Sequence, residues 1–251
     1  MDSVAAAYAA ASQPEATEMQ PDSSLAAAYA DRGPEQWVYG EVTLEGCEEL
    51  LGKLGVTRQS TFLDMGSGTG RIVLYAAYVH RIQSIGIELV PERHRVAERA
   101  REACEGWAAN AELHCGDMHT MAQLDALAEL RCGDMLSMAQ LDALARATHV
   151  FCNNAVWPSE LTACVVRHLM THAPLLTVLA LLKEPATPEV FNGSEFVLAR
   201  KSAVDVSWDR IGWPLFLYRR PSSDSSSSAW PDVDPAFAAA LESRDGICMY
   251  G

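Results

Sequence analysis

The chain has 251 residues and a formal net charge of −14, from 19 Lys and Arg against 33 Asp and Glu. Charged residues at 21% and hydrophobic ones at 49% describe a globular protein with a sizeable core, neither a wholly disordered chain nor a fibrous one. The acidity argues against strong nucleic-acid binding by this chain alone, because phosphate contacts need clustered Lys and Arg, and Lys53, Lys183 and Lys201 are its only lysines.

Residues 1–33 are rich in Ala, Ser, Pro and Gln and read as a disordered acidic tail, with a short helix after Ser23-Ser24 as its one ordered candidate. The run Ser222-Ser223-Asp224-Ser225-Ser226-Ser227-Ser228 opens a Ser-rich tail over 221–251, loose apart from a helical turn near Phe237 to Leu241. Each tail carries −4, so the domain between them, 34–220, carries only −6. The N-terminus lacks a basic n-region, and the longest uncharged apolar stretch, Ala173 to Leu182, is shorter than the roughly 18–20 residues a bilayer requires. A protein neither secreted nor membrane-bound is expected, in cytoplasm or nucleus. Seven cysteines with no C-x-x-C pair and no His pairs at zinc spacing suit a reducing compartment without a structural zinc or other metal.

Within the domain, strand and helix patterns alternate. Thr61-Phe62-Leu63 reads as a buried strand leading into Asp64-Met65-Gly66-Ser67-Gly68-Thr69-Gly70, and Arg71 to His80 as a helix packed on a sheet. Ser84 to Leu89 reads as a second strand, followed by a helix from Pro91 to about Trp107 whose Arg93, Arg95, Arg99 and Arg101 form a solvated face. His149 to Cys152 is a later strand, Ser159 to His172 a helix, and Leu175 to Leu182 a further strand. This alternation predicts an α/β fold with a doubly wound, mostly parallel sheet.

One segment is repeated. Residues 111–127 recur as 128–144, differing only at His114/Arg131, His119/Leu136 and Thr120/Ser137. Two copies do not make a solenoid. A tandem duplication accommodated by one fold is expected, with two candidates, Asp117 and Asp134, for a single position.

The glycines at 66, 68 and 70 allow close approach of a ligand ahead of a helix N-terminus. Glu88, at the end of the next strand, is placed to accept the two hydroxyls of a ribose. Dinucleotide sites use G-x-G-x-x-G, whereas the spacing here is Asp-x-Gly-x-Gly-x-Gly. An acid at the head of the loop suits a ligand with an ammonium and no pyrophosphate, such as S-adenosylmethionine; a nicotinamide or flavin cofactor, and a loop with no ligand, remain as alternatives. Asn153-Asn154 follows directly on a strand, where an amide oxygen can orient a substrate amine or where a turn or cap is made instead. Cys152 and Trp213 read as packing residues, and Trp230 as part of the tail.

The order of motifs resembles the disruptor-of-telomeric-silencing family of non-SET histone lysine methyltransferases. The matching stretches are Tyr39-Gly40-Glu41, Asp64 to Gly70, Gly86-Ile87-Glu88, Gly133-Asp134-Met135, Cys152-Asn153-Asn154 with Glu160, and Val206-Ser207-Trp208 followed by Pro214 and aromatics to Tyr218. The resemblance implies a Rossmann-like class I methyltransferase fold with an antiparallel C-terminal strand pair, S-adenosyl-L-methionine as cofactor, and a lysine of a core histone or nucleosome as acceptor in the nucleus. It implies that Tyr39, Gly40 and Glu41 cover the cofactor, that Asp64, Gly66, Ser67 and Gly68 cradle it, and that Glu88 holds its ribose. Asp134 with Met135, ahead of Asp117, is expected at the adenine, Asn153 and Phe151 at the transfer point, and Trp208 along the lysine channel. A methyltransferase of a non-histone protein or small molecule and an inactive methyltransferase-like scaffold are the rival readings.

Overall fold

A computed structural model describes residues 40–104, 107–116, 135–221, 232–237 and 240, with backbone alone at 107–108, 135–140 and 232. Tyr39, Asp117, Asp134, Trp230, the tail 1–33 and the serine run lie outside the described residues. In chain order the elements are α1 (Leu44–Leu54), β1 (Thr61–Met65), α2 (Arg71–Tyr75), which continues as a π-helical turn to His80, β2 (Gln83–Glu88), α3 (Pro91–Ala103), β3 (Ala111–Cys115), α4 (Met135–Arg146), β4 (His149–Cys152), α5 (Ser159–His172), β5 (Val178–Leu181), β6 (Val197–Val206), β7 (Asp209–Arg219) and β8 (Asp232–Val233).

The strands form one sheet in the order β3-β2-β1-β4-β5-β7-β6-β8. The pairs from β3 to β5 are all parallel, and β7 runs antiparallel to both β5 and β6. This is a doubly wound, Rossmann-like sheet whose C-terminal pair is antiparallel. Because side chains alternate across a strand, β1 sends Phe62 to one core cluster and Leu63 and Met65 to the other. Leu50, Leu51 and Leu54 of α1 and Ile72 to Tyr75 of α2 fill the first face; Ala143 and Leu144 of α4 and Val165, Val166 and Leu169 of α5 fill the second. Order reverses at β1, whose neighbours β2 and β4 lead to opposite halves of the sheet, and ligands of open α/β sheets bind at the carboxyl ends beside such a switch.

Some elements differ from the sequence expectation. Helix α1, which is not among the elements expected from the sequence, has Cys47, Leu50, Leu51 and Leu54 on its buried face, Thr43 capping Gly46 N–H, and Gly55 at φ 72 closing it. Helix α3 ends at Ala103 rather than near Trp107, with Cys104 N–H turned back to the Arg101 carbonyl. Strand β5 is confined to Val178–Leu181, since only there does it face both β4 and β7.

Part of the C-terminal stretch expected to be loose is docked. Asp232 and Val233 pair with Arg200 and Lys201 of β6. Asp234 accepts from Ser202 Oγ at 2.9 Å and pairs with Arg200 at 3.2 Å, while Phe237 packs edge-on against Phe216. The duplicated segment is shared between elements: β3 comes from the first copy, whereas α4 lies almost entirely in the second. No helix among the described residues is long and apolar enough to cross a membrane.

Candidate active site

A cavity of about 210 Å³ sits at the carboxyl ends of β1, β2 and β4, bordered by the glycine loop, the segment around Gly40 and the β6–β7 hairpin. Of the residues expected there, Gly40, Glu41, Asp64, Gly66, Ser67, Gly68, Glu88, Phe151, Asn153 and Trp208 all line it. Met135 opens α4, and its side chain is outside the described residues.

The loop after β1 turns on glycines at φ 87, 57 and 77 (Gly66, Gly68, Gly70), a conformation other residues rarely adopt. Gly66 and Ser67 N–H both donate to the Ile87 carbonyl, and Gly70 caps the start of α2. Neighbouring Gly86 leaves room for Ser67, whose Cβ and Oγ would lie within 2.9 Å of a Cβ at position 86. Glu88 closes the arrangement from β2. Its Oε2 accepts from Gly68 N–H at 2.7 Å and its Oε1 from Val90 N–H at 2.9 Å, so one carboxylate ties the loop to the entrance of α3.

Three acids share this end of the sheet. Asp64 is 3% exposed, and its Oδ1 is buried with no hydrogen-bond partner among the described residues. Burial first, then Glu88 and Glu41, push its carboxyl well above the usual carboxylate range. Burial likewise raises Glu88, opposed by Arg93 and by the backbone N–H groups of Val90, Gly68 and Leu89. Glu41 is engaged by Thr69 Oγ1 and the Arg71 guanidinium, which fastens the segment before α1 to the glycine loop. That segment is held on its other side by the hairpin, through Glu41 N–H to Ser207 Oγ and the Val42–Val206 bridge.

The two asparagines after β4 do different things. Asn153 donates from Nδ2 to the Gly40 carbonyl at 3.2 Å, which turns Oδ1 away from that carbonyl as the acceptor the side chain offers. Asn154 is fully buried: Oδ1 accepts from Leu182 and Lys183 N–H, and Nδ2 donates to the Lys183 carbonyl at 2.8 Å. It clamps the end of β4 to the end of β5 and so supports its neighbour. Trp208 stands over Gly40, where a Cβ would lie 2.2 Å from indole Cε3, and meets Trp213 at 5.7 Å in an edge-on contact.

Sequence reasoning missed several walls of the cavity. Trp157 and Trp213 line it beside Phe151 and Trp208, although Trp213 also packs in the core and donates to the Leu182 carbonyl. Phe216 and Tyr218 belong to the opposite core face. Arg93 corrects the expectation of a solvated arginine face on α3: it is 6% exposed, lines the cavity and lies 3.8 Å from Glu88, whereas the Arg95 side chain is 63% exposed. Its position in the first turn after Glu88 was the available signal. Cys152 is fully buried, and burial holds its thiol protonated, so it offers no nucleophile. Among the described residues no cluster of His, Cys, Asp and Glu suits a metal ion.

Comparison with known proteins bears on this site. A search of curated proteins finds 40% identity over 63 residues with the H3 lysine-79 specific histone-lysine N-methyltransferase of Drosophila melanogaster, a quarter of this chain but 3% of that relative's length. Among solved structures, an RNA methyltransferase from Salinibacter ruber in complex with S-adenosyl-L-homocysteine aligns with TM-score 0.44 and 19% identity, over 72% of this chain and 94% of that one. A magnesium protoporphyrin IX methyltransferase from Synechocystis PCC 6803 with bound SAM gives 0.49 and 13%, over 71% and 79%. The family described as histone methylation protein DOT1 matches residues 17–181, from before the Gly40 segment to the end of β5, and on that match, which covers well over half of its length, the chain belongs to the DOT1 family.

Proposed function

We propose that the protein is an S-adenosylmethionine-dependent protein-lysine N-methyltransferase whose leading acceptor is a core histone. The observation that carries this reading is the pairing, in one cavity of a DOT1-family chain, of an unsatisfied buried carboxylate with an asparagine amide whose orientation is set. The cavity fits the cofactor's polar groups: Asp64 Oδ1 for an ammonium, Glu88 for ribose hydroxyls, and between them a loop that presents no Cβ at Gly66 and Gly68. When bound, S-adenosylmethionine supplies a sulfonium methyl that is electrophilic without further activation. The chain's own residues then have positioning to do. Asn153 Oδ1 accepts a hydrogen from the incoming amine and aims its lone pair, while Phe151, Trp208 and Trp213 exclude water from a neutral lysine amine. The amine's proton leaves to solvent after transfer, so no buried general base is required.

In this reading the catalytic unit spans 34–220, Gly40, Glu41, Gly66, Ser67 and Gly68 enclose the cofactor, and Tyr39 extends the cover. Asp134, Met135 and Asp117 remain the candidates for the adenine end; chain order favours Asp117, since β3 of the first copy lies beside Glu88, with Gly116 N–H donating to the Glu88 carbonyl at 2.9 Å. A nuclear location and a role in chromatin regulation accompany a histone acceptor. The acidic chain, with net charge −14, attracts a basic protein partner and does not itself grip nucleosomal DNA.

The test is calorimetric titration with S-adenosylhomocysteine, followed by labelled-methyl transfer to nucleosomes, free histones and cell extract side by side. Saturable binding with label on a histone lysine is expected. Absence of binding to the intact protein would sink the enzyme reading, binding with label only on other molecules would replace the acceptor, and binding with no transfer to any of them would leave a methyltransferase-like scaffold.

A further inference from the structure

We propose that Arg93 is a positioning residue for the cofactor: its guanidinium faces Glu88 inside the cavity and keeps that carboxylate charged and aimed for ribose hydroxyls. This inference rests on the reading of the cavity as an S-adenosylmethionine site. Glu88 is 4% exposed, and its carboxylate accepts from backbone N–H groups, Oε2 from Gly68 and Oε1 from Val90, with Leu89 N–H also bonded to it. With about four acceptor sites on its two oxygens, the carboxylate keeps capacity for a ligand hydroxyl, provided the group stays ionised. A protonated carboxyl gives up part of that capacity and weakens its hold on the loop.

Among the described residues, two further titratable side chains are coupled to Glu88, and neither favours its ionisation. Asp64 on β1 is a second buried acid whose carboxyl is raised by burial first and then by Glu88, and Cys115 is the register partner of Glu88 on β3. Arg93, from the first turn of α3, is the cation set against them, with Nη1 3.8 Å from Glu88 Oε1. That distance leaves the guanidinium near enough to act on the charge of Glu88.

The placement is otherwise unfavourable. A cation in the first turn opposes the helix dipole, and burial removes its hydration. Arg95 and Arg101 on the same helix avoid the second penalty by staying more exposed and pairing with Glu92 and Glu98 at the surface. Arg93 instead turns inward against the site, which a solvated helix face does not require.

Three full-length proteins test this: wild type, Arg93→Met, which keeps the length without the charge, and Arg93→Lys, which restores the charge. S-adenosylhomocysteine affinity is measured from pH 6 to 8.5. Arg93→Met is expected to bind about tenfold more weakly at pH 7.5, with the acid limb of its binding curve moved to higher pH, and Arg93→Lys to recover most of the loss. Exchange of the Gly68 amide in the unliganded proteins provides a second readout; at pH 6 it is expected to be faster in Arg93→Met alone. Superposable pH profiles and equal Gly68 exchange for all three would overturn the proposal, as would a lysine variant as impaired as the methionine one. A wild type that binds no S-adenosylhomocysteine sinks the site reading instead, while the Gly68 exchange still decides whether Arg93 controls Glu88.

Discussion

Asn154 and Asn153 are adjacent and identical, yet the structure assigns them opposite consequences on substitution. Asn154→Ala removes the acceptor of Leu182 and Lys183 N–H and the donor to the Lys183 carbonyl, in a place where Asn154 and Leu182 are fully buried. Three backbone groups lose their partner, and at a net of roughly 1 kcal/mol each the loss is about 3 kcal/mol. For a domain of this size that lowers the melting temperature by about 6–12 °C. Asn153, partly buried and bonded by one 3.2 Å contact to Gly40, has no comparable share in stability. Asn153→Ala is expected to melt within about 4 °C of wild type, at no more than roughly 1 kcal/mol, while methyl transfer falls. Calorimetric melts of both variants, with transfer assays at a temperature where both are folded, make the comparison. An Asn154→Ala protein that melts with the wild type would refute the assignment of the clamp.

Gly40→Ala sets a Cβ 2.2 Å from Trp208 Cε3 and shifts the carbonyl that orients Asn153; a displacement near 1 Å is expected to lower kcat/KM about a hundredfold with little change in melting, read by transfer kinetics. His149 is 9% exposed, and burial, aided by Arg219, lowers its pKa to about 4. The folded protein then resists a proton that the unfolded chain takes up near pH 6.5, so this residue's contribution is present above that pH and lost as pH falls toward 4, by up to about 1.4 kcal/mol per pH unit. Denaturant unfolding at pH 7 and pH 5 is expected to show a smaller pH dependence for His149→Phe than for wild type; equal dependence would remove His149 from the account. Phe237→Ala empties the contact with Phe216 and is expected to destabilise by about 3 kcal/mol, measured by urea unfolding, whereas a loose C-terminal segment predicts no change. Deleting residues 118–134 joins Asp117 to Met135 and restores a single copy of the repeat; since β3 precedes the deletion and α4 follows it, circular dichroism and S-adenosylhomocysteine binding are expected to match the full chain.

Local chemistry already determined a large part of this protein. Alternating apolar runs specify β1, β2 and β4 almost to their observed ends, because a strand buried on both faces has few other ways to satisfy its side chains. The spacing of Gly66, Gly68 and Gly70, with Asp64 before them and Glu88 ending the next strand, likewise carries the loop, since only glycine adopts those positive φ angles freely. These are constraints within a few residues, and they are visible in one dimension.

What tertiary structure alone decided depends on which distant segments meet. Arg93 and Arg95 sit two positions apart on one helix, and only the packing of α3 beside β2 buries the first and leaves the second in water. The different duties of Asn153 and Asn154 arise from Gly40 and from the end of β5, 113 and 29 positions away along the chain. The meeting of Trp208 with Gly40 requires the hairpin to fold over the start of the domain, and the sharing of β3 and α4 between two near-identical copies cannot be read from sequences that differ at three positions. Burial and hydrogen-bond geometry are properties of neighbours in space, and sheet order, with β1 between β2 and β4, is what makes these residues neighbours.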